Sequence, residues 1–141
     1  MIVLDVNTLL YAYGGTSSQH GKARACVEEL FSGTDPVGLP RQTIAAFLRI
    51  GTNSRLAGWH PVAEAVHEIE DWLKQPAVRV LVPGDNHWPI LRRMVVEGQA
   101  SGPLVSDAEI AALTIEYGGA LYTADRDFSR FPGLQWRNPL E

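Results

Sequence analysis

Short apolar runs alternate along this chain with longer stretches in which apolar residues recur every third or fourth position. Ile2 to Val6 is apolar except for Asp5, and so short and β-branched a run suits a strand at the centre of a parallel sheet, covered on both faces. Gly14-Gly15-Thr16-Ser17-Ser18 reads as a flexible loop whose serines would cap a following helix. In that helix Ala23, Cys26, Val27, Leu30 and Phe31 occupy one face, with Cys26 as core filler. Gly33 to Pro36 is a turn and Val37 to Leu39 a strand. Gln42 or Thr43 then opens a helix carrying Ile44, Phe47 and Leu48. Pro61 starts the next helix, with a wide stripe of Val62, Ala65, Val66, Ile69, Trp72 and Leu73 that Pro76 ends. Ala77 to Val82 is a strand, followed by a helix through Trp88, Leu91, Met94 and Val95 that stops at Gly98, with Arg92 and Arg93 solvated. A last helix begins near Ser106-Asp107, lines up Ala108, Ala111, Ala112 and Ile115, and ends at Gly118. Ala120 to Thr123 is the final strand. The four tryptophans are expected in the core.

This alternation predicts an α/β architecture with a mostly parallel sheet. At 141 residues, residues 1–141 form one domain with one core. The net charge of −4 argues against coating nucleic acid through the overall field, though a bound cation would reverse the field locally. The lone cysteine excludes an internal disulfide and a zinc knuckle, so a reducing, cytoplasmic setting is expected. The N-terminus has no basic leader, Asp5 interrupts its apolar run, and no run approaches a membrane span.

Carboxylates end several of these elements. Asp5 closes the first run, Asp107 follows Ser106 at a helix start, and Thr123-Ala124-Asp125-Arg126-Asp127 follows the last strand. Taken singly, Asp107 would serve the helix terminus and Asp125 and Asp127 a turn. Asp5 needs a partner if it lies in a buried strand. Brought together without a cation these acids would repel one another. Oxygen-only ligation selects a hard ion, Mg²⁺ or Mn²⁺, and such an ion suits phosphodiester hydrolysis. Asp5-Val6-Asn7-Thr8 also has the spacing of an aspartyl phosphatase motif, but Asn7 stands where the general acid would be.

The chain resembles the PIN-domain ribonucleases of the VapC toxin type from Met1 to about Leu140. The matching residues are Asp5 with Asn7, Phe47-Leu48-Arg49 with Thr52-Asn53, Asp107-Ala108 leading to Ala111-Ala112-Leu113, Thr123 to Phe128, and Pro139-Leu140. The last acidic motif, with an acid about 105 residues upstream, is the most specific. The resemblance implies a three-layer α/β/α fold with a parallel sheet, and an acidic group at its C-terminal edge. It also implies Mg²⁺- or Mn²⁺-dependent cleavage of RNA, tRNA or rRNA, inhibition by a cognate VapB antitoxin, and a homodimer. Asp5, Asp107 and Asp125 fall on the family's metal-binding acids and Asp127 on the further acid that often follows. Thr123 falls on the preceding hydroxyl.

One position departs from the pattern. Where many members carry a glutamate before Phe-Leu-Arg, this chain has Ala46. Glu109 is a candidate substitute, but two positions from Asp107 it lies about 200° around a helix; Gln42 or Thr43 would instead reach a metal-bound water. On this reading Asp5, Asp107 and Asp125 bind the ion, Asp127 handles the attacking water, and Asn7 and Thr123 hold the carboxylates. Arg49, Arg55 or Arg126 would contact phosphate, and an antitoxin arginine among the acids would block the site. The competing reading is a binding protein for RNA or antitoxin whose hydrolysis is weakened or lost with the missing glutamate.

Overall fold

A computed structural model describes the whole chain, Met1 to Glu141. Five strands form one sheet in the order β3-β2-β1-β4-β5, with every neighbouring pair parallel. The strands are β1 (Ile2–Leu4), β2 (Val37–Pro40), β3 (Val78–Leu81), β4 (Ala120–Tyr122) and β5 (Trp136–Arg137). Six helices connect them: α1 (Val6–Gly14), α2 (His20–Ser32), α3 (Arg41–Gly51), α4 (Val62–Lys74), α5 (His87–Glu97) and α6 (Leu104–Glu116). A 3-10 turn spans Arg126–Arg130.

Side chains alternate across a strand, so adjacent residues serve opposite faces. Leu4 packs with Leu9 and Ala12 of α1, Val27 of α2, Phe47 of α3 and Trp72 of α4 in one apolar cluster. Its neighbour Val3 packs with Met94 of α5 and Ala111 of α6 in the other. The three-layer α/β/α architecture expected from the sequence is thus the observed one, with α1 to α4 on one face and α5 and α6 on the other.

Trp72 anchors the first cluster: its ring lies 4.7 Å from Phe47 in edge contact, and its indole N–H donates to the Tyr13 hydroxyl at 2.8 Å. Burying so large a ring requires that N–H to find a partner, which Tyr13 supplies. At β2, Gly38 leaves room for the second layer, since a Cβ there would stand 2.5 Å from Leu81 Cδ1.

The sequence pattern misplaces some boundaries. The first strand ends at Leu4, and Asp5 is the N-cap of α1 rather than a residue inside a strand. Helix α6 begins at Leu104, so Ser106 and Asp107 lie within its first turn. Of the tryptophans only Trp72 is in the core; Trp59 and Trp88 are exposed and Trp136 is half-buried. No helix is long and apolar enough to cross a membrane.

Candidate active site

The chain lays β2 and β3 on one side of β1, then returns to place β4 and β5 on the other. Open parallel sheets bind ligands beyond the carboxyl ends of their strands where the winding reverses, here between β1 and β4. The register pairs Leu4 with Tyr122, so the next residue on each strand is Asp5 and Thr123. Both are buried, and the Thr123 hydroxyl donates to Asp5 Oδ2 at 2.9 Å. The other Asp5 oxygen accepts from the Val6 amide at 2.8 Å. Thr123 Oγ1 also accepts the Asp125 amide at 3.0 Å, and Asp125 Oδ1 accepts the Asp127 amide at 2.8 Å, capping the 3-10 turn. A chain of short bonds therefore fixes Asp5, Asp125 and the turn bearing Asp127 relative to one another.

Asp107 enters from α6. Its carboxyl is pushed up to about 6, first by burial and then by the charges of Asp125, Asp5 and Asp127, with Arg130 opposing. Burial also raises Asp5, against the bonds from Thr123 and Val6, while the charge of Asp125 adds to the rise. A carboxylate serving only the helix terminus would be stabilised in its charged form by the dipole. Asp107 shows the reverse, so its surroundings outweigh the dipole, and the four aspartates share one electrostatic field. No three acidic, histidine or cysteine side chains are drawn together tightly enough to enclose an ion by themselves.

The remaining candidates are dispersed. Asn7 is half-buried in the first turn of α1, and Asp5 takes its side-chain bonds from Val6 and Thr123 instead. Arg49 and Arg55 are exposed on and beyond α3, and Arg126 pairs with Glu141 at 3.1 Å. Ala46 is half-buried on α3. Glu109 lines a separate cavity of about 100 Å³ with Arg41, Gln42 and His87. Gln42 and Thr43 are already committed: the Gln42 amide donates to the Ser106 carbonyl at 3.0 Å and the Thr43 hydroxyl to the Leu4 carbonyl at 3.2 Å. These two bonds tie α3 to both sides of the acidic group. Sequence reasoning did not find Arg130, whose charge acts on Asp107 and whose Nη1 donates to the Gly98 carbonyl at 3.2 Å. An isolated arginine after a turn carries no signal that it faces a site.

The chain matches the PIN domain family over residues 2–134. It is 35% identical to the VapC ribonuclease Mb2897 of Mycobacterium bovis over 143 residues, covering 100% of this chain and 97% of that protein. The chain belongs to the VapC group of the PIN-domain family. Ribonuclease VapC33 of Mycobacterium tuberculosis is 36% identical over 141 residues, 99% of each chain. Among solved structures, VapBC2 from Rickettsia felis, bound to a DNA fragment from their promoter, superimposes with a TM-score of 0.74 over 98% of both chains. At 17% identity that likeness is one of fold. In this PIN domain the acids stand at the winding reversal of the sheet.

Proposed function

We propose that this PIN domain is the toxin of a type II toxin–antitoxin pair, a Mg²⁺- or Mn²⁺-dependent endoribonuclease held in check by a VapB-type antitoxin. The observation that carries the reading is the group of four aspartates at the switch point, where burial first, and then the charges of Asp125, Asp5 and Asp127, raise Asp107 to about 6. A cation beside the group would offset the cost of its ionised form, and its donors are all hard oxygens. The relatives' names as VapC ribonucleases support RNA as the substrate, and the VapBC assembly of the same fold supports an antitoxin partner.

Asp5, Asp107 and Asp125 would hold the ion, directly or through water. Mg²⁺ keeps most of its waters, so an open set of carboxylates suffices. When bound, the ion lowers the pKa of a water and offsets charge on the scissile phosphate. Thr123 and the Val6 amide orient Asp5, and the Asp127 amide orients Asp125. Asp127, exposed at the mouth of the group, would accept a proton from the attacking water. Arg130 would moderate the charge on Asp107. An antitoxin arginine placed among these acids would neutralise them and displace the ion. The family's homodimer and cytoplasmic setting are part of the same proposal, and size-exclusion chromatography of the purified chain tests the dimer.

The competing reading is an RNA- or antitoxin-binding PIN domain with weak or lost hydrolysis. Ala46 and the open arrangement of the acids favour it. Cleavage of total RNA by purified protein decides between the two. The toxin reading expects Mg²⁺-dependent fragments from the wild type and none from Asp5→Asn. No cleavage by folded wild type with either metal would leave the binding reading.

A further inference from the structure

Beside the acids, on the β5 side of the sheet, two concavities of about 400 and 450 Å³ adjoin and share Arg137 and Glu141. One reaches to Lys22 and Cys26 on α2 and to Tyr122; the other is lined by Arg126 and Trp136. Each is joined to the acidic group along the chain: Tyr122, in the first, precedes Thr123, and Arg126, in the second, stands between Asp125 and Asp127.

The chemistry of this groove differs from that of the acids. Tyr122 and Arg137 are opposite one another in the β4–β5 register, and the Arg137 guanidinium lies over the Tyr122 ring, 4.6 Å from its centroid. Stacking uses the flat face of the guanidinium and leaves its in-plane N–H fork directed outward. Arg137 is exposed and takes no part in the chain's ion pairs, so the fork has no carboxylate partner. Lys22 gives one bond to the Leu140 carbonyl at 3.3 Å, leaving two N–H donors. Glu29 also lines the groove, and Glu141 neutralises Arg126, so the unpaired cations are Lys22 and Arg137.

We propose that a single-stranded segment of the RNA runs from the acidic centre along this groove, with Arg137 and Lys22 holding its phosphates and Trp136 offering a base a stacking face. Cations along a groove with an accessible aromatic edge, here the part of Trp136 not packed against the α5–α6 cluster, are what binds single-stranded nucleic acid without reading its sequence. An acidic peptide would use the same cations but has no need of the exposed part of the Trp136 ring, nor of a groove joined along the chain to the acidic centre. The inference rests on the endoribonuclease reading and adds the path of the strand.

The test uses the full chain carrying Asp5→Asn, so that RNA is bound but not consumed, and a fluorescein-labelled single-stranded RNA of mixed sequence. Binding is followed by anisotropy over a salt series. Removing one phosphate-binding cation flattens the slope of log K against log salt by about 0.7 for a single strand. Lys22→Gln with Arg137→Gln should therefore reduce the slope by about 1.4. Arg137→Lys should keep most of the slope, because it retains the charge. In the otherwise wild-type enzyme, the same pair of glutamines should raise KM and leave kcat unchanged. If the parent binds RNA and the wild type cleaves it, while the glutamine variant matches the parent in affinity and slope, the groove is not the path. If the wild type neither binds nor cleaves RNA, the ribonuclease reading falls and the path with it.

Discussion

Replacing Asp107 by Asn should stabilise the metal-free protein at neutral pH while abolishing its cleavage of RNA. In the folded chain Asp107 titrates near 6, against 3.8 for the ordinary carboxyl. Below about pH 4 the group is neutral in folded and unfolded chains alike and favours neither. Between about 4 and 6 the unfolded chain has lost the proton and the folded chain retains it, so stability falls as pH rises. Above about 6 the folded protein carries the full penalty. At about 1.4 kcal/mol per pH unit the shift corresponds to about 3 kcal/mol. Asp107 is only partly buried, and solvent screening reduces this to about 1–1.5 kcal/mol. For a domain of this size that is about 3–5 °C in Tm. Thermal melts in EDTA from pH 4.5 to 7.5 measure it: Asp107→Asn should gain over wild type as pH rises, and the two should converge toward pH 4. Added Mg²⁺ should raise the wild-type Tm at pH 7.5 and the variant's much less. A variant less stable than wild type in EDTA at pH 7.5 would refute the claim that these acids repel one another in the native fold.

Three further substitutions probe the supports. Thr123→Val leaves Asp5 Oδ2 and the Asp125 amide without their partner; it should cost about 2 kcal/mol in urea unfolding, with Thr123→Ser close to wild type. Ala46→Glu restores an acid at the position where the family pattern has one, and a metal titration of RNA cleavage should show half-maximal activity at lower Mg²⁺; an unchanged requirement would place residue 46 outside the site. Trp72→Ala removes the ring packed on Phe47 and the bond to Tyr13; it should destabilise the fold by about 3–5 kcal/mol in chemical denaturation, with Trp72→Phe losing less.

The fold was legible wherever an element carries one strong period. The stripes of α2 and α4 and the short apolar runs of β1, β2 and β4 stand at or near their expected places. Helix α1 was not legible: Leu9 and Ala12 face the core while Leu10, Tyr11 and Tyr13 are partly covered by neighbouring elements, so apolar residues surround it and no stripe shows. It also starts directly from Asp5, without a linker to separate strand from helix. In α4 the stripe exceeds the buried face, since Val62, Val66 and Leu73 are exposed beside buried Ala65, Ile69 and Trp72. Periodicity finds an apolar face, and the width of the neighbouring element decides how much of it is covered.

The acids were legible as residue types at the ends of elements, and the β1–β4 register explains why Asp5 and Thr123 meet. Position in the chain does not show which cation balances them. Arg130 acts on Asp107 from the end of the 3-10 turn, whereas Arg49 and Arg55, chosen for their place beside a loop, are exposed on and beyond α3. Gln42 and Thr43 likewise brace α3 through backbone carbonyls, of Ser106 on α6 and Leu4 on β1, a role that depends on which elements they meet in space.

If Asp5 and its neighbours cut RNA, the most direct measurement is to map the new RNA ends that form in cells after expression of the wild type and of Asp5→Asn. The substitution to Asn is chosen because Asp5 caps α1 and Asn caps a helix equally well. Discrete new ends are expected with the wild type and none with a folded, equally abundant Asp5→Asn. The same ends at the same abundance from both would contradict the assignment of these acids to catalysis.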